Sequence, residues 1–311
     1  MKVASCVFAL AFLSTILFAK PAVSSTPLQP IYILSDGSVD PASAPIERNG
    51  NTYTFTGDAF APIIVQKDSI VIDGAGHTLQ GPYNGTKTDL FIIGQGPDQG
   101  IASNGTQVLW TIGIDAAWNG ISNLVIKNLN VKNFSIGTYL WTSNNTLTGN
   151  AFTENIVAVL LSGSGNAITG NYIANNENGL FFGANQPGNL PLNTTISNNC
   201  FLNNIKQLSG CVCIDYNTTE EIHTWDNGRE GNFWSDYNGT DADGDGIGDR
   251  PYIIDVLNQD RYPLMESPAN PPTVALKIPA EIIIAATALA IIAVAAVIAL
   301  RKRAKSTSKL G

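Results

Sequence analysis

The sequence predicts an all-β solenoid, a single-stranded parallel β-helix with end caps, followed by one C-terminal transmembrane helix. Three observations predict it. Asparagines recur in a ladder between Asn123 and Asn204, apolar residues alternate with polar ones between the rungs, and an uncharged apolar run extends from Ile282 to Leu300.

The ladder stacks as four segments that begin at Asn123, Asn145, Asn166 and Thr194, which are 22, 21 and 28 residues apart. The longer last step carries the insertion GANQPGNLPL. Within the segments Leu124 and Ile126, Leu147, Ile168 and Ile173, and Ile196 and Phe201 follow period two, the mark of strands. Strands that recur at fixed spacing are too short to bury a face alone, so successive coils must stack to make a core. Asparagine suits the corners, because it tolerates the left-handed conformation and its amide bonds nearby backbone. Repeated once per coil, its amides can also form a hydrogen-bonded ladder along the axis.

Each flanking element follows from its composition. Residues 1–24 read as a secretory signal: Lys2, then an apolar run from Val3 to Ala19, then small residues up to Ser24. Residues 25–68 read as an N-terminal cap, which a solenoid needs to shield its first unpaired edge. Coils are placed at 69–210, starting with SIVIDGAGHTLQG, and the irregular stretch from Tyr83 to Asn119 is expected to project as a loop. Residues 211–266 turn aromatic and rich in Gly and Asp, as a C-terminal cap would. A Pro-rich linker, 267–280, leads to the predicted membrane helix, 281–300, and the tail 301–311 carries Arg301, Lys302, Arg303 and Lys305. That basic cluster orients the tail to the cytoplasm and the rest outside the cell.

Charge narrows the partners. From Ser25 to Ala275 there are 24 acidic and 9 basic residues, a net of −15. Such an exterior disfavours nucleic acid and anionic lipid, and suits divalent cations or plain solubility. Cys200, Cys211 and Cys213 follow the signal, and an oxidising compartment favours one disulfide from Cys200 to either partner. N-glycosylation sequons stand at Asn84, Asn104, Asn133, Asn144, Asn193, Asn217 and Asn238.

The sharpest chemical motif is Asp241-Ala-Asp243-Gly-Asp245-Gly246-Ile247-Gly-Asp249. Carboxylates at positions 1, 3, 5 and 9 and glycine at 6 follow the spacing of a calcium loop, with a backbone carbonyl from Ile247. Tyr252 stands where such a loop would carry a bidentate Glu. Four carboxylates in nine residues repel one another unless a cation neutralises them, so a structural calcium is expected. Catalytic signals are weaker: Asp73, Asp115, Lys127 and Lys132 are isolated charges, and no paired-carboxylate pattern of a sugar hydrolase is present. Cys211, Cys213, His223 and Met265 are soft ligands that copper would accept, without diagnostic spacing. Trp225, Phe233, Trp234, Tyr237, Tyr252 and Tyr262 read first as the hydrophobic plug of the cap, and second as sugar-stacking rings.

Taken together, SIVIDGAGHTLQG, the ladder coils and the closing GNFWSDYNGTDADGDGIGDRPYIID…NQDRYPLM resemble NosD-like β-helix proteins. These include archaeal surface proteins with this cap and a C-terminal membrane helix. The resemblance implies a right-handed helix of the kind found in carbohydrate-binding and sugar-hydrolysing proteins. Founding members of the family serve copper maturation of nitrous oxide reductase in the periplasm. The expected role is that of a membrane-anchored extracytoplasmic protein binding a polysaccharide or envelope glycan. Polysaccharide processing and periplasmic copper binding are the alternatives.

Overall fold

The computed structural model describes residues 29–82, 90–91, 99–102, 107–109, 111–117, 120–183, 192–210 and 223–268. The expected signal segment, most of the linker, the membrane helix, the basic tail, Cys211 and Cys213 lie outside the described residues. Among the described residues no helix is long and apolar enough to cross a membrane. The chain divides into two units, Met1–Pro272 and Thr273–Gly311, and every described residue belongs to the first.

Three sheets built from parallel strands, one strand from each per coil, form a parallel β-helix. Sheet 1 has eight strands, and its regular part is Ile112–Asp115, Ile136–Leu140, Val157–Leu161, Asn178–Phe182 and Lys206–Gly210. Sheet 2 has seven, among them Val71–Asp73, Val125–Lys127, Thr146–Thr148, Ala167–Thr169 and Thr195–Ser197. Sheet 3 has six: Thr78–Gln80, Asn130–Lys132, Ala151–Thr153, Tyr172–Ala174, Cys200–Leu202 and Phe233–Trp234. Strands of residues 31–65 already join sheets 1 and 2, since Ile31–Ile33 pairs with Ile63–Val65 and Thr52–Phe55 pairs with Val71–Asp73. Between Gln80 and Ile112, three short antiparallel strands, Leu90–Phe91, Gln99–Ala102 and Gln107–Leu109, form a separate sheet.

Register builds the core. Ile72, Ile126, Leu147, Ile168 and Ile196 stack in one inward row of sheet 2, and all are fully buried. Leu79, Val131, Phe152, Ile173 and Phe201 do the same in sheet 3. Each buried side chain of this size contributes about 1.5–3 kcal/mol, so adding a coil adds core in steps.

The corners correct the expected alignment. Val125 pairs with Thr146, so Leu124, not Asn123, lies in register with Asn145. The first step is therefore 21 residues rather than 22. Two positions, not one, shape each corner. Asn123, Asn128, Asn133, Asn144, Gly149, Glu154, Gly165, Gly170, Asn175, Asn193, Asn198 and Asn203 take the left-handed conformation. The residue after each one points inward, and all of these are buried. In the first regular coil those inward positions are Leu124, Leu129 and Phe134, and in later coils most are asparagines.

Candidate functional site

The inward asparagines form two long hydrogen-bonded ladders. In one, the Asn150 carboxamide donates to Asn171 Oδ1 (3.1 Å), Asn171 to Asn199 (3.0 Å), and Asn199 to Asn232 (2.9 Å). The other runs from Asn155 to Asn176 to Asn204, which donates to Gln207 Oε1 at 2.9 Å. Each rung's oxygen also accepts the backbone amide of the preceding rung, as Asn171 Oδ1 does from Asn150 N at 3.0 Å. These bonds satisfy corner amides that no strand partner reaches.

The C-terminal cap closes the open end with aromatics, in keeping with the plug expected from the sequence. Trp234, which continues the core row of sheet 3, stacks between Phe201 and Tyr252, with centroids 4.4 Å away on each side and planes within 6°. Trp225 and Trp234 are buried. A bidentate pair clasps the cap: Arg261 Nε and Nη2 reach Asp226 at 2.9 and 2.7 Å. Burial opposes the charge on Asp226, but the guanidinium and two backbone amides hold its carboxyl below the usual range.

The acidic loop lies on this cap. Carboxylate oxygens of Asp241, Asp243 and Asp245 lie within 4.8 Å of one another, close enough to share a cation. Asp241 accepts the amides of Gly244 (2.8 Å), Asp245 (3.2 Å) and Gly246 (3.0 Å). Slight desolvation works against its charge, yet the Gly246 and Gly244 amides keep its carboxyl below the ordinary value. Gly246, at φ 87°, makes the bend the sequence motif requires. Asp249, the fourth carboxylate expected at the site, lies outside this cluster of three. Its Oδ2 closes the loop by accepting Thr240 Oγ1 (2.9 Å) and Ala242 N (3.1 Å). Ile247 bridges to Leu264, a pairing that takes the Gly246 carbonyl and the Gly248 amide and not the Ile247 carbonyl.

Two of the isolated charges singled out in the sequence pair with each other. Lys127 Nζ lies 3.0 Å from Asp73 Oδ2, and Asn128 donates to Asp73 Oδ1 at 3.2 Å. Asp115 is buried and accepts the Ala117 amide at 2.8 Å. Lys132 stands in register with Gln80 and Thr153 on the outward face of sheet 3. Cys200 is buried, has a hydrogen-bond contact to Ser267 and forms no disulfide among the described residues; its expected partners, Cys211 and Cys213, lie outside them. His223 is buried against the ring of Phe182, 4.7 Å between centroids, and neither ring nitrogen has a hydrogen-bond partner among the described residues.

The sequence reading missed the outward face of sheet 2. There Thr146 and Thr148, Ala167 and Thr169, and Thr195 flank the buried Leu147, Ile168 and Ile196 on three successive coils. Small residues on either side of each buried Leu or Ile (TLT, AIT, TIS) are visible in the sequence, but become a face only once the coils are in register.

Residues 115–239, which cover the regular coils and the start of the cap, match the family model described as periplasmic copper-binding protein (NosD). No curated protein and no solved structure gives a match. Over those residues the chain is similar to the NosD family, and its stacked parallel sheets make it a parallel β-helix.

Proposed function

We propose that this chain is an extracytoplasmic binding protein, anchored by residues 281–300, that holds a polysaccharide or envelope glycan along the outward face of sheet 2. The observation that carries this reading is the hydroxyl array Thr146, Thr148, Thr169 and Thr195, set on a parallel sheet beside the Asp73–Lys127 pair. Strand spacing puts neighbouring rows about 4.8 Å apart, and alternate residues along a strand about 6.7 Å apart. A flat lattice of small donors and acceptors with no bulky side chain suits a polymer of hydroxyl-bearing rings. Calcium held by Asp241, Asp243 and Asp245 would stiffen the cap. The test is retention of the full chain on immobilised polysaccharides and a glycan array, with Thr148→Val/Thr169→Val as the variant. This change keeps shape and removes two hydroxyls, so a tenfold or greater loss of affinity is expected. Retention unchanged by the variant, or no glycan retained at all, overturns the assignment.

A second reading, copper binding, is supported by the match to a family described as copper-binding and by one structural observation. The buried His223 imidazole is neutral, its pKa pushed down to about 4 chiefly by burial, and both nitrogens are unpaired among the described residues. That is the form in which histidine binds soft metals. The described residues do not assemble a copper site, however. The one group of three or more convergent His, Cys, Asp or Glu side chains among them is Asp241, Asp243 and Asp245, which are hard oxygen donors. Copper would need Cys211 and Cys213 to join His223. Titration with Cu(I) decides it: stoichiometric uptake lost in Cys211→Ser/Cys213→Ser and in His223→Phe supports the reading, and no uptake by the native chain rejects it.

A further inference from the structure

We propose that the hairpin tip of the C-terminal cap, Ile253 to Leu257, rests in the surface of an electrically neutral lipid bilayer as a second, shallow membrane contact. This rests on the reading of residues 281–300 as a membrane anchor.

The hairpin pairs Tyr252 with Asp260 and Ile253 with Gln259. Its tip is held firmly. Asp255 Oδ1 accepts the amides of Leu257 (2.7 Å) and Asn258 (2.8 Å), and the Asn258 carboxamide donates back to Asp255. Asn258 is itself buried, and its oxygen accepts His223 N (2.9 Å) and Trp225 Nε1 (3.1 Å). The turn is thus tied into the cap interior, yet its apolar side chains face out. Val256 is 97% exposed, Ile253 63% and Leu257 44%. Three apolar side chains held in water on one fixed turn are costly unless another apolar phase covers them.

Charge and chain length select that phase. The tip, 253–257, carries Asp255 and no Lys or Arg. Arg261 at the hairpin base is paired with Asp226, so that Arg250 is the one cation flanking the hairpin in sequence with no ion pair among the described residues. The same cap carries Asp241, Asp243 and Asp245. An anionic membrane surface, which recruits basic segments, is therefore the wrong partner, and uncharged headgroups are the right one. The last described residue is Pro268, and the apolar run follows Glu281. The thirteen residues from Ala269 to Glu281 span at most about 45 Å fully extended, so an anchored chain keeps this cap close to lipid at all times. Shallow insertion then needs little affinity of its own, because the tether supplies a high local concentration.

The test uses the full chain reconstituted in phosphatidylcholine nanodiscs, with Val256→Trp compared with Phe60→Trp, an exposed site in the N-terminal region. Lipid with brominated acyl chains quenches tryptophan that enters the bilayer. The added Val256→Trp fluorescence should fall by half or more while that of Phe60→Trp stays unchanged. Alkaline carbonate extraction of membranes reads the anchor separately. A chain retained by the membrane whose Val256→Trp signal is quenched no more than Phe60→Trp overturns the hairpin proposal alone. Release into the carbonate supernatant overturns the anchor and the hairpin proposal with it. A Val256→Trp emission that shifts with protein concentration in the absence of lipid assigns the tip to self-association instead, and also overturns the proposal.

Discussion

The Asp260 carboxylate accepts both nitrogens of Asn232, the backbone amide at 2.7 Å and the carboxamide at 3.3 Å. Every rung before it points its carboxamide toward the C-terminus, from Asn150 through Asn171 and Asn199 to Asn232. An amide both donates and accepts, whereas an ionised carboxylate only accepts. The donors of this ladder all run one way and end on a pure acceptor, Asp260. Trp234 Nε1 (2.9 Å) and Tyr262 N (3.1 Å) complete its shell. Burial pushes the Asp260 carboxyl up and these donors pull it back, with burial the larger effect. Gly231 leaves room for it, since a Cβ there would collide with the Asp260 carboxylate.

Removing this acceptor should therefore be strongly destabilising. Asp260→Ala strands the Asn232 backbone amide, the Trp234 indole and the Tyr262 amide, whereas the Asn232 carboxamide keeps the Ile196 and Trp225 carbonyls. Unsatisfied buried donors cost about 1–3 kcal/mol each, so a total loss of about 3–5 kcal/mol is expected after partial relaxation. Asp260→Asn restores the shape but turns one donor toward donors, and should cost about 1–3 kcal/mol. Urea denaturation measures both, and midpoints within error of the native chain would show that the ladder does not depend on its terminus.

The two positions that shape each corner should respond differently. Asn171 is a buried rung whose carboxamide donates to Leu147 O (2.9 Å), Thr169 O (3.2 Å) and Asn199 Oδ1 (3.0 Å). Asn171→Ala should cost about 3 kcal/mol through orphaned backbone groups. Asn123 is a left-handed corner residue at φ 56° whose side chain donates to Ser122 Oγ at a long 3.4 Å. Asn123→Gly should fall within about 0.5 kcal/mol of native, while Asn123→Val should cost about 1–2 kcal/mol from backbone strain. Equal costs for Asn171→Ala and Asn123→Gly would refute the division of labour.

That division explains what the sequence can and cannot disclose. The rows Leu147, Ile168, Ile196 and Phe152, Ile173, Phe201 are legible because period-two alternation fixes which side chains face inward. The ladder's true register is not, because asparagine serves two adjacent positions for different reasons, backbone conformation at Asn123 and hydrogen bonding at Asn145. Only the pairing of Val125 with Thr146 separates them. The acidic loop is legible where it is local, since Asp241, Asp243 and Asp245 converge as their spacing demands. Asp249 departs because its partner, the Thr240 hydroxyl, sits across the loop neck. Asp260 and Asp226 give no signal at all, as their partners Asn232 and Arg261 lie 28 and 35 residues away.

Calcium, if it occupies the Asp241 loop, should stabilise the cap by mass action. At a free concentration a hundredfold above Kd the gain is about 2.7 kcal/mol, or several degrees in Tm for a domain of this size. A thermal melt with and without chelator reads it, and Asp243→Asn/Asp245→Asn should abolish the chelator effect while leaving the fold intact, because both side chains are exposed. An unchanged native midpoint on chelation would eliminate the calcium assignment.

Acid should loosen the same cap through His223. Burial lowers its pKa from 6.5 to about 4, with Asp255 acting weakly in the opposite direction. The unfolded chain therefore binds a proton on this ring between those values while the folded chain does not. Stability is full above about pH 6.5, falls as the pH drops toward 4, and changes no further through this group below that. The integrated loss is about 3 kcal/mol, from about 1.4 kcal/mol for each pH step between the two values. His223→Phe keeps an aromatic ring against Phe182, 4.7 Å away in the native chain, and removes the proton site. Urea midpoints measured at about pH 7.5, 6, 5 and 4 should decline for the native chain and decline measurably less for His223→Phe. Parallel declines in the two proteins would assign the acid sensitivity to the carboxylates instead.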